Sequence, residues 1–358
     1  MAPRGRLAPL RDIASGIAAV GVKELRGRMR GRRAFVILTI HLVLVAGFAL
    51  MVEAMQERSL PVGVGASFNA SAQIGRTLFI ALLLLQTLIV LVLAPAATSG
   101  AISLEREKQT LDLLTTTPIS SLAIVLGKLL SALSWVFLLL LASIPVTALV
   151  FTFGGVSPDD LVRGYVVLFV AAFGYGSLGL FLSAVVKRTQ ASTVLNLVAT
   201  LALTAGVTVV FLFWGRMGSV SDVNGVNRNE GLRRPPEALM YLNPFIAQAD
   251  VICGTETGFG DFCGIIGSVT NRPAIGFGVA PQPGIDVPGR PVDGGPVAEQ
   301  QFGIPRDSFW PRSTAAWIVL SVILIVLSVQ LVSPTRRWRI RLPRPRRRPM
   351  GEISDADA

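Results

Sequence analysis

Histidine and cysteine are nearly missing from this 358-residue chain, which holds one histidine, His41, and two cysteines, Cys253 and Cys263. So short a list of nitrogen and sulfur ligands argues against a His/Cys metal site. Charge is scarce too: 15% of residues are charged, against roughly 25% in soluble domains. The pattern G-x-x-x-x-G-K-[ST] does not occur, because the one Gly-Lys pair, Gly127-Lys128, is followed by Leu129. The chain therefore lacks a P-loop of its own and the ATP hydrolysis that goes with it.

What is abundant is apolar sequence, at 51% of the residues. Runs of about 20 apolar residues are long enough to cross a hydrocarbon core of ~30 Å. Six are present: Ala34 to about Glu53, Thr77 to Ala97, Leu129 to Phe153, Gly164 to Val186, Ala191 to Trp214, and Ser313 to about Val332. The fold class expected is an all-α integral membrane protein. IASGIAAVGV near the start is small and weakly apolar, and a basic cluster follows it in place of a small-residue cleavage site, so it is not read as a cleaved signal.

Orientation follows from lysine and arginine near the span ends. Lys23, Arg26, Arg28, Arg30, Arg32 and Arg33 precede the first span, Lys187 and Arg188 form the turn between spans four and five, and the tail TRRWRIRLPRPRRRP follows the sixth. With six spans all three clusters fall on one side, so both termini are expected in the cytoplasm. The net charge of +11 then favours anionic membrane lipid, at ~1 kcal/mol per residue near the surface. No stacking or base-reading module accompanies the tail, so no nucleic-acid partner is expected.

The expected organisation is a cytoplasmic segment at 1–33 with an interfacial helix, spans one to five over 34–214, an extracytoplasmic loop at 215–312, span six at 313–333 and a basic tail at 334–358. Gly, Pro, Asn and Asp make most of the long loop irregular. The stretch near 236–252 is apolar enough for a short surface or re-entrant helix, with Asn243-Pro244 as a break. Cys253 and Cys263 either pair as a disulfide on an oxidising face or stay unpaired. Trp214, Trp310 and Trp317 at one boundary and Trp338 at the other read as interfacial anchors.

GYGSLG, 174–179, matches the dinucleotide pattern, but it lies within span four, with no strand before it. Its small residues, with Ser183, read as a surface for close helix packing. His41, Gln86 and Asn196 are polar residues within spans, and either line a pathway or bond between helices.

One charged stretch separates spans two and three: SLEREKQTLDLLTTTPISS, 103–121. Leu104, Leu111 and Leu114 share one helical face, and Glu105, Arg106, Glu107, Lys108, Gln109 and Asp112 occupy the others. The spacing predicts an amphipathic helix of about four turns, with Ser103 as N-cap and its leucines packed on the bundle. Thr117-Pro118 reads as the N-cap and first position of the next helix. Lys128 is expected to snorkel at the membrane boundary.

That stretch, with LAIVLGKLL after it, resembles the ERE-x-x-TLE-LLL-x-TP-[IL]-S signature of ABC-2 type permeases, the membrane subunits of ABC exporters. KELRGRMRGRRAFVILTIHLVLV resembles the family's entry to the first span, VVKRTQASTVLNLV its turn between spans four and five, and LNPFIAQADVI its Asn-Pro-Phe segment. Asp112 stands where the family often has Glu, and the loop between spans five and six is unusually long.

The resemblance implies six spans per subunit in the plasma membrane, and two subunits, identical or paralogous, around the transport path. It also implies a separate cytoplasmic ATPase holding ATP and Mg. Coupling to that ATPase would involve Glu105, Arg106, Glu107, Lys108, Thr110, Leu111, Asp112, Leu114 and Pro118. An interfacial helix carrying Lys23, Glu24, Arg26 and Arg30 would support it. The chain itself is then not an enzyme. Two other classes stay open: a non-transporting scaffold or regulatory component of the same fold, and an intramembrane enzyme using His41 and Ser177.

Overall fold

A computed structural model describes residues 32–59, 67–109, 120–217, 237–253 and 309–332. These residues are almost entirely helical, and no strand occurs among them. The helices are α1 (Arg32–Ser59), α2 (Ser67–Thr98), α3 (Ser103–Glu107), α4 (Ser121–Ala148), α5 (Pro158–Val185), α6 (Thr189–Leu201), α7 (Val207–Met217), α8 (Pro244–Cys253) and α9 (Trp310–Val332). A five-residue π turn, Ala202–Gly206, joins α6 and α7 into one rod. Among the described residues six stretches are long and apolar enough to cross a membrane, in the six places read from the sequence. This is a multi-pass helical membrane protein.

The bundle has two unlike ends. Arg32, Arg106, Lys108, Lys128, Lys187 and Arg188 mark one, called here the basic end, while α8 and the α4–α5 turn mark the far end. Near the far end α4 closes with a 3-10 turn, Leu149–Thr152, and Gly154 and Gly155 follow at φ 80°. Only glycine fits here: a Cβ on Gly155 would overlap the Ala72 carbonyl, and one on Gly75 the Gly154 carbonyl. Ser71 Oγ donates to the Phe153 carbonyl at 2.7 Å and Arg76 Nε to the Gly155 carbonyl at 2.8 Å, fixing the turn on α2. Ser157 and Asp160 then form a reciprocal capping box, with Pro158 at the first turn of α5.

Of the six spans α5 is the most enclosed, and its small residues explain why. A Cβ on Gly174 would strike the Trp317 ring of α9, and one on Gly176 would meet Leu133 of α4 at 2.7 Å. One on Gly179 would strike the Thr98 hydroxyl and meet the Asn196 amide at 2.6 Å and the Pro95 carbonyl at 3.2 Å. GYGSLG thus admits three sets of neighbours at three heights, as close packing by small residues requires. Trp317, expected at the interface, is 2% exposed. It fills the space Gly174 leaves and meets Tyr175 edge-on, with ring centroids 4.6 Å apart. Trp214, by contrast, is 41% exposed.

At the far end the chain forms a 3-10 turn, Glu237–Leu242, a break at Asn243, and α8. The Asn243 side-chain oxygen accepts from Phe245 N–H at 3.0 Å, capping α8. α8 packs into the bundle, where Ala247, Gln248, Ala249 and Asp250 are all buried. Gln248 Nε2 donates to the Gly164 carbonyl of α5 at 2.9 Å. Asp250 accepts the N–H groups of Phe309 and Trp310 at 3.1 and 2.9 Å, serving the start of α9 from another element.

Candidate functional site

α2 carries Pro95 three residues before its end, and a four-residue turn, 99–102, separates it from α3. The expected four-turn helix does not run unbroken: α3 ends at Glu107 after five residues. Gln109 adopts φ 57°, the left-handed conformation that closes helices, and its N–H donates to the Arg106 carbonyl at 3.1 Å. Thr110, Leu111, Asp112, Leu114, Thr117 and Pro118 lie outside the described residues, as do Lys23, Glu24, Arg26 and Arg30. The next described helix, α4, begins at Ser121. Its N-cap is Ser120, which accepts from Ala123 N–H at 3.3 Å, and not the Thr117-Pro118 pair.

Nor is Ser103 an N-cap. Its own N–H, like that of Ile102, needs an acceptor, and Ser183 Oγ of α5 takes both, at 2.9 and 3.0 Å. The Ser103 hydroxyl donates back to the Ser99 carbonyl and on to Thr189 Oγ1, each at 3.3 Å. The expected apolar face is also displaced: Ile102, 1% exposed, packs on the bundle, while Leu104 is 43% exposed.

The acidic residues of α3 bond to the chain's own helices, Glu105 part-buried and Glu107 at the surface. Glu105 pairs with Lys128 of α4 at 2.6 Å, and Lys128 is 3% exposed. This corrects the snorkelling expectation: the ammonium is enclosed, with a carboxylate brought to it. Glu107 accepts from Thr189 N–H at 2.8 Å and from its hydroxyl at 2.9 Å. Arg188, the local N-cap of α6, makes no side-chain cap, so a carboxylate from α3 serves the positive end of span five. Lys108 and Gln109 are exposed and Arg106 is half-buried.

Behind α3 the attachment continues up span five. Ser192 Oγ donates to the Ser99 carbonyl at 2.8 Å, Ser99 and Thr193 hydroxyls share a bond at 3.0 Å, and Asn196 Nδ2 donates to the Pro95 carbonyl at 2.9 Å. Thr189, Ser192, Thr193 and Asn196 fall at i, i+3, i+4 and i+7, one face of a helix. Asn196 is thus an interhelix tie. So is Gln86, whose Nε2 donates to Thr147 Oγ1 at 3.0 Å; that hydroxyl and Ser143 both meet Tyr165 OH, at 2.9 and 3.0 Å. His41 is 7% exposed and hydrogen-bonds the Leu139 backbone. Ser177 Oγ, its imagined partner, donates instead to the Gly174 carbonyl at 2.8 Å. Cys253 ends α8, its side chain outside the description along with Cys263. No group of three metal-ligating residues occurs among the described residues.

The sequence reading gave Ser183 a packing role only, and it missed Thr189 and Ser192. The signal was there in TQASTVLN, where small polar residues recur at helical spacing inside an apolar span.

A comparison with curated proteins finds no match. The family model described as ABC-2 family transporter protein matches residues 18–248, well over half of the 358-residue chain. The matched range takes in five spans, α3 with its ties to α4, α5 and α6, and the first half of α8. The chain therefore belongs to the ABC-2 transporter family and is a membrane permease of an ABC transporter.

Proposed function

We propose that this permease moves its substrate outward on ATP hydrolysed by a separate ABC ATPase that docks at the basic end. The basic end then faces the cytoplasm and the membrane is the plasma membrane. ATP and Mg are held in the ATPase, and a second permease, identical or paralogous, completes the transport path. One observation carries the reading. α3 is held by side chains to three different spans, α4 through Lys128, α5 through Ser183 and span five through Thr189, so a force on α3 is delivered to half the bundle at once. The absence of a P-loop from the chain supports the division of labour.

Two kinds of α3 residue then have separable roles. Leu104 and Lys108 are exposed and offer a docking surface, whereas Glu107 ties α3 to span five. Purification from native membranes through a tag on this chain should bring down a soluble P-loop ATPase. Leu104→Glu with Lys108→Glu should reduce that recovery at least about tenfold, the factor for 1.4 kcal/mol. Glu107→Ala should leave recovery unchanged and lower transport per ATP hydrolysed. Full recovery in the double variant, or no ATPase with the unaltered chain, would sink the proposal.

A further inference from the structure

Span five is gripped in two places, one on either side of its π turn. On the basic side α6 is stitched to the 95–107 segment by the ties of Thr189, Ser192, Thr193 and Asn196. On the far side Asn243 Nδ2 donates to Thr208 Oγ1 at 2.7 Å and to the Thr204 carbonyl at 3.3 Å. Thr204 lies in the π turn, so a carbonyl of the widened turn is taken up by the outer element. There the Val207 N–H reaches back to the Ala202 carbonyl, five residues away. Such turns bend helices, and Gly206, the last residue of this one, has the weakest helix preference of any residue but proline.

We propose that span five is a hinged rod that carries motion of α3 to the far end. Its lower half, α6, moves with α3 as one body, the rod bends at Ala202–Gly206, and α7 pulls the 237–253 element through Asn243. That element packs on α5 and holds the start of α9 through Asp250, so its displacement loosens the far end of two spans. The π turn gives the rod two alternative helix registers and hence a discrete pivot. This inference rests on the reading of α3 as the ATPase contact.

Two variants separate the hinge from simple folding. Asn243→Ser keeps an oxygen to cap α8 but is too short to reach Thr208. Gly206→Ala adds a Cβ whose nearest neighbours are Ala202 Cβ at 3.8 Å and the Leu201 carbonyl at 4.0 Å, both ordinary contacts. It stiffens the pivot without a clash.

The complex with its co-purified ATPase, in lipid nanodiscs, is trapped with ATP and vanadate. Amide hydrogen exchange is then read on peptides covering 99–109 and 237–253. In the unaltered complex exchange at both should shift on trapping. In each variant the shift at 99–109 should persist, while that at 237–253 falls, in Gly206→Ala about fivefold, the factor set by alanine's helix preference over glycine. A shift at 237–253 that survives in both variants overturns the hinge. So does a shift confined to 99–109 in the unaltered complex, which leaves the permease reading standing. A complex with no shift at 99–109 overturns both.

Discussion

Glu105→Ala is expected to destabilise the bundle by about 3–5 kcal/mol, the cost of removing one partner from a buried ion pair. Lys128→Met should cost far less. The asymmetry comes from burial: Lys128 is 3% exposed, whereas its partner is 25% exposed. Losing Glu105 takes the carboxylate from an enclosed ammonium, while losing Lys128 leaves a carboxylate within reach of water. Methionine also keeps the volume of the lysine stem inside the packing. The double variant, Glu105→Ala with Lys128→Met, should recover most of the stability lost in Glu105→Ala. Titration with SDS in mixed micelles, followed by loss of helix signal, reads all three. Equal losses in the two single variants would show that the ammonium is not enclosed.

The second large effect is steric. Gly179 sits where α2, α5 and α6 converge, and a side chain there meets the Thr98 hydroxyl, the Asn196 amide and the Pro95 carbonyl. Pro95 O is backbone, held in place by Asn196 and by the Ser99 N–H at 2.9 Å. Gly179→Val should therefore cost at least the roughly 1–3 kcal/mol of core overpacking. It should also break the Asn196 tie, worth about 0.6 kcal/mol and up to about 1.7 between membrane helices. Gly47→Ala in α1 is the internal control, since nothing lies within 4 Å of its Cβ. The temperature of thermal aggregation in detergent, read by size exclusion, should fall markedly for Gly179→Val and hold for Gly47→Ala. A Gly179→Val protein as stable as the parent would remove the three-helix junction from the account.

The span count, the basic end and the small-residue packing of α5 were legible because each rests on local composition: a run of Leu and Val, a cluster of Arg, glycines spaced along a helix. Asn243 as the break before α8 was legible for the same reason. The partners of the charged residues were not. Glu105 and Lys128 are far apart in the chain, and nothing in either neighbourhood says that the lysine is enclosed. An enclosed lysine and a snorkelling one look identical in sequence, because both sit at the end of an apolar run. The length of α3 was misread because amphipathic spacing continues past Gln109, while the backbone turns left-handed there to place Glu107 on Thr189. Ser103 looked like a cap until Ser183, eighty residues on, took that office for it. At the candidate site the residue types were readable and their pairings were not.

Asp250 stands three residues before α8 ends, and it holds the two residues that open α9. The two points between which residues 254–308 must be closed are thus already fastened together. Closing a loop costs only about 0.6 kcal/mol more for each doubling of its length, and here the fastening is done by a carboxylate that belongs to neither end of that segment. Residues 254–308 can therefore be lengthened, shortened or replaced without renegotiating the helices on either side of them. The junction of α8 and α9 is an interchangeable mount, closed by Asp250 whatever the length of the chain between them.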